Sequence, residues 1–71
     1  MIPLLFATPG TENVVKKIGG SPEIVQHLKD MGFVAGASVT VVNSLAGNII
    51  VSVKGTRVAI GQDLARRIMI C

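Results

Sequence analysis

A mainly β fold is predicted for this chain: a small, partly open barrel with one inserted helix. Three observations carry that prediction. Val39 and Val41, then Ile49, Val51 and Val53, then Val58 and Ile60, then Ile68 and Ile70 repeat at a spacing of two, the period of a strand with one buried face. The runs are short and are divided by turn sequences, Ser44-Leu45-Ala46-Gly47 and Lys54-Gly55. One segment breaks the pattern, since Ile24, Val25, Leu28 and Met31 recur at helical spacing.

In chain order, Pro3 to Ala7 is expected to be a short edge strand, because proline is tolerated at a strand's first residue. Thr8-Pro9-Gly10-Thr11 is a turn. Glu12 to Ile18 is β-rich, but Val15 falls on the face opposite Val14 and Ile18; a bulge near Lys16 and Lys17 would bring Val15 and Ile18 to one face. Gly19-Gly20 ends that strand. Ser21 is a good N-cap, Pro22 suits the first helical position and Glu23 the positive end of the dipole, so a helix from Pro22 to about Met31 follows. Gly32 stands where a left-handed residue closes a helix, and Gly36 turns the chain into the sheet. Strands are then expected over Ala37 to Asn43, Asn48 to Lys54 and Arg57 to Ile60. A short helical turn near positions 62–66 precedes a last strand, Arg67 to Ile70.

At 71 residues the chain has room for one domain, residues 1–71, with one small core. An apolar fraction of 49% argues against disorder, and no apolar run exceeds four residues, as in Leu4 to Ala7, so a transmembrane helix of ~20 residues is not expected. Met1-Ile2-Pro3 lacks the basic start of a secretory signal, and a cytoplasmic protein is expected. The single cysteine, Cys71, permits no intrachain disulfide. A net charge of +3 implies mild attraction to anionic partners and no more.

Chemistry is sparse. His27 and Asp30 lie three apart on the expected helix and offer at most two ligands, so no metal site and no cofactor is expected. One histidine without a Ser or Cys motif does not make a hydrolytic site, and the glycines never form G-x-x-x-x-G-K-[ST]. The chain is read as no enzyme. With no Trp and no Tyr, and with Phe6 and Phe33 both expected in the core, nucleic acid binding by base stacking is disfavoured. What survives is a module that binds through surface shape. Leu45, in a Ser/Ala/Gly loop, either folds over the open end of the barrel or stands exposed as an anchor for a protein partner.

The order Val15-x-x-Ile18-x-Gly20, Leu28-x-x-Met31-Gly32-Phe33-x-x-Gly36, Val39-x-Val41-Val42, Leu45-x-Gly47, Ile49 to Val53, Gly55-x-x-Val58-Ala59-Ile60 and Ala65-x-x-Ile68-x-Ile70 resembles the FeoA family, ferrous iron transport protein A. The resemblance covers nearly the whole chain. It implies a Src homology 3-like β-barrel with one inserted helix, and a cytoplasmic accessory of ferrous iron uptake. Its partner would be the membrane transporter FeoB, through the cytosolic part that contains the GTPase domain, with recruitment to the inner face of the membrane. It implies no catalytic residues. Leu45, Ala46 and Arg57 are the candidate partner-binding residues. A second reading is a GTPase-activating partner that inserts an arginine, with Arg57, Arg66 and Arg67 as candidates. A third, weaker one is a stand-alone nucleic-acid-binding barrel.

Overall fold

In the computed structural model, which describes residues 1–71, the alternating segments form strands β1 (Ile2–Pro3), β2 (Glu12–Ile18), β3 (Ser38–Leu45), β4 (Asn48–Val53), β5 (Thr56–Gly61) and β6 (Ile68–Ile70). Helix α1 spans Pro22–Asp30, the short α2 spans Gln62–Ala65, and a 3-10 turn covers Leu4–Phe6. All strand pairs are antiparallel, in the order β1-β6-β2-β3-β4-β5. The sheet curls round thirteen buried apolar residues, to which every strand except the short β1 contributes, and no polar side chain is buried among them. The expected inner-face residues Val39, Val41, Ile49, Val51, Val53, Ile60, Ile68 and Ile70 are all in that core, with Val58 half-buried against it.

Strand β2 serves two pairings. Glu12 to Val14 pair with β3, whereas Val15, Lys17 and Ile18 pair with β6, and the register shifts between Val15 and Lys17. The bulge expected at Lys16 and Lys17 is therefore present, and it bends the strand from one half of the barrel to the other while returning Ile18 to the core side.

Helix α1 starts and stops as its sequence dictates. The Ser21 hydroxyl accepts from the Ile24 amide at 3.3 Å, and Pro22 opens the first turn. At the other end the Gly32 amide donates to the Lys29 carbonyl (2.9 Å) and the Phe33 amide to the Leu28 carbonyl (3.0 Å), with Gly32 at φ 103°. These two bonds make a Schellman motif, and its customary apolar contact is the pair Leu28 and Phe33, both wholly buried. The following link is sewn onto β2. The Gly36 amide donates to the Val15 carbonyl at 2.8 Å and the Val15 amide to the Ala37 carbonyl at 2.9 Å. Gly36, at φ 90°, makes that turn possible.

Four expectations are corrected. The strand expected over Pro3 to Ala7 ends at Pro3; Leu4 to Phe6 coil into a 3-10 turn closed by the Ala7 amide on the Leu4 carbonyl at 3.0 Å. Leu4-Leu5-Phe6 has no alternation to hold a strand, and coiling sends Leu4 into the core. It also turns Phe6 outward, 68% exposed, so Phe6 is not a core residue although Phe33 is. Finally, Arg67 lies in the turn between α2 and β6 rather than in a strand, and the hairpin expected to loop over Ser44 to Gly47 closes on Ala46-Gly47 alone.

Candidate outer-face docking site

The Ala46-Gly47 turn decides where Leu45 stands. Both residues have positive φ, 52° and 82°, the combination a tight two-residue hairpin turn needs, and the strands therefore continue to Leu45 and Asn48, which pair. A pairing that runs so far down the hairpin carries Leu45 past the end of the core. Of the two readings left open, burial over the barrel mouth is the one that fails: Leu45 is 68% exposed.

Register shows what shares its face. Because Ile49, Val51 and Val53 point into the core, the intervening β4 residues Asn48, Ile50 and Ser52 point out, together with their cross-strand partners. Three rows result. Leu45, Asn48 and Gly61 form the first; Asn43, Ile50 and Ala59 the second; Thr40, Ser52 and Arg57, extended by Glu12 on β2, the third. Arg57 and Leu45 thus lie on one outer face, ~14 Å apart along the strands and ~10 Å across them. Ala46 stands at the tip beside Leu45, exposed. The sequence missed Ile50 and Ala59 as members of this face, because which residues lie between Leu45 and Arg57 depends on the β3–β4 and β4–β5 registers.

The face grades from apolar to polar. At the far end from Leu45, a shallow hollow of about 280 Å³ is lined by Glu12, Ala37, Ser38, Thr40, Ser52, Lys54 and Gly55. The bulge between Val41 and Asn43 leaves Val42 36% exposed on β3. The other arginines are elsewhere in the chain: Arg66 caps α2, and Arg67 lies against Gly20, where an added Cβ would meet its guanidinium at 3.1 Å. Only Arg57 of the three stands in a row of the Leu45 face.

His27 and Asp30 on α1 are not joined by further ligands, since no three of the His, Cys, Asp and Glu side chains come together. Asp30 instead accepts a hydrogen bond from the Gln26 amide group at 2.9 Å. No helix is long and apolar enough to cross a membrane.

A six-stranded antiparallel barrel with a capped helix inserted between its second and third strands defines the class of protein, a small Src homology 3-like module. The FeoA domain family model matches residues 2–71, and the chain belongs to the FeoA family. It is 41% identical over 70 residues, 99% of this chain and 85% of the relative, to a Methanocaldococcus jannaschii protein provisionally named Fe(2+) transport protein A. Among solved structures it matches an iron uptake regulatory protein (FeoA) at 41% identity and a TM-score of 0.91, covering 99% of this chain and 93% of that one. It also matches FeoA of Stenotrophomonas maltophilia, a prokaryotic SH3 domain protein solved in complex with zinc, at 25% identity and a TM-score of 0.86, covering 100% of this chain and 91% of that one.

Proposed function

We propose that this protein is a non-catalytic accessory of ferrous iron uptake that works in the cytoplasm by binding the cytosolic, GTPase-containing part of the transporter FeoB. Family membership supports the process. The observation that carries the mode of action is Leu45, a branched apolar side chain 68% exposed at the end of a paired strand, with Ile50 and Ala59 continuing the face behind it. An apolar anchor held by a β-ladder loses little freedom on docking, and a few such residues carry most of an interface's binding energy. Ala46 at the tip and Arg57 in the third row complete the contact.

Leu45→Asp tests this. Binding to the cytosolic part of FeoB, measured by calorimetry, is expected to weaken at least tenfold, of order 2 kcal/mol, while the melting temperature stays within error because Leu45 contributes nothing to the core. Retained binding with retained stability would move the interface off this face.

A second reading has one observation behind it: Arg57 shares the face with Leu45, so docking through Leu45 would bring a guanidinium to the GTPase domain. Arg57→Ala separates the two. As an adaptor the protein is expected to leave GTP turnover by the bound transporter within about a factor of 2, whereas loss of an inserted arginine would lower it by roughly 10³ or more.

A further inference from the structure

Strand β5 is the last in the sheet order, paired with β4 on one side and with nothing in the chain on the other. The phase of its free backbone groups follows from the two hairpins. A two-residue turn makes the flanking pair a doubly hydrogen-bonded one, so Lys54-Gly55 sets Val53 and Thr56 as such a pair, and by alternation Val51 with Val58 and Ile49 with Ile60. The Ala46-Gly47 hairpin gives the same phase independently, since Asn48 bonds to Leu45 and the next residue, Ile49, then faces β5. The N–H and C=O of Arg57 and Ala59 and the N–H of Gly61 therefore point away from the sheet. None of them meets another backbone group in the turns and loops, and the Gly61 carbonyl is turned into α2, whose N-cap Gly61 is.

We propose that this edge pairs with β5 of a second copy of the chain, antiparallel about a two-fold axis at Ala59. That register is selected by charge. With the axis at Arg57 two guanidinium groups would be directly opposed, and with the axis at Val58 they would be diagonal neighbours ~8 Å apart, within screening range. With the axis at Ala59 each Arg57 faces Gly61 of the second copy, which has no side chain, and the two arginines separate to ~14 Å, beyond the Debye length at physiological salt. The free groups then match except the Arg57 amide, which faces a Gly61 carbonyl already turned into α2. The central Ala59 residues exchange two bonds, and each Gly61 amide donates to the Arg57 carbonyl of the other copy. On the inner side, half-buried Val58 gains Ile60 of the second copy as a cross-strand apolar neighbour. One strand pair is well below the ~1,200 Å² of a standard interface, so the dimer is weak, with Kd on the order of 0.1 to 1 mM.

Sedimentation equilibrium from ~10 µM to ~1 mM, spanning that Kd, is expected to show a mean mass rising from 7.4 kDa toward about twice that value. Over the same range the amides of Ala59 and Gly61 gain protection from hydrogen exchange, while those of Thr56 and Val58, already bonded to β4, do not change. Ala59 is exposed, so Ala59→Lys and Ala59→Glu keep the wild-type melting temperature. Each variant alone stays monomeric, because like charges meet on the axis, and an equimolar mixture of the two dimerises. A chain still monomeric at ~1 mM overturns the proposal. So does an Ala59→Lys variant that dimerises undiminished, or concentration-dependent protection at other amides, which would place the contact off this edge.

Discussion

Phe33→Ala is expected to remove a large share of the chain's stability. Phe33 is wholly buried and belongs, with Leu28 of α1, to the single core cluster that the strands also fill. Truncating a buried phenylalanine costs ~3–5 kcal/mol, and a domain of this length has ~4–11 kcal/mol in total. With ~4–8 °C per kcal/mol for a domain of this size, the melting temperature should fall by at least ~12 °C, read by circular dichroism. Phe6→Ala is the matched control. The same chemistry is removed from a side chain 68% exposed, and the change should stay within ~0.5 kcal/mol. Equal losses at the two positions would mean that Phe6, not only Phe33, belongs to the core.

Gly32→Val should rank second. At φ 103° the residue lies where L side chains are strained, and a β-branched one most of all. Space is not the difficulty: an added Cβ would meet Val53 and Lys54 side-chain atoms at 3.5 Å, ordinary contact. The cost is conformational, ~1–3 kcal/mol, or a fall of ~4–24 °C in thermal melting. Relief of that strain would have to come from the helix end itself, breaking the amide bonds from Gly32 and Phe33 to Lys29 and Leu28. The exchange protection of those two amides should therefore drop together with the melting temperature. An unchanged melting temperature would show that the helix closes without the left-handed residue.

Much of this fold was legible because its signals are local. Ser21, Pro22, Gly32 and Gly36 act through their own backbone preferences, and the period-two alternation from Val39 to Ile70 names the inner face with no knowledge of which strand pairs with which. The bulge at Lys16 and Lys17 was readable for the same reason: alternation fails there, and only an extra residue restores it. Where the reading failed, the local signal was absent. Leu4-Leu5-Phe6 carries no period, so whether it coils, and which of its large side chains enters the core, was settled by the room that β6 and α2 leave at that end of the barrel.

The docking face was legible only in part. Leu45, Ala46 and Arg57 could be named singly from turn composition and charge, but their membership of one surface is a property of register. By itself the amino-acid sequence determined the strands from Glu12 onward, the capped helix, the inner face and the family, since each is written in neighbours close along the chain or in the order of short motifs. Only the tertiary structure decided that Leu45 stands in solvent, that Ile50 and Ala59 link it to Arg57, and that β5 keeps an unpaired edge. Those facts depend on which residues oppose one another across strands, and a shift of one residue in pairing would have turned every one of those side chains to the other face.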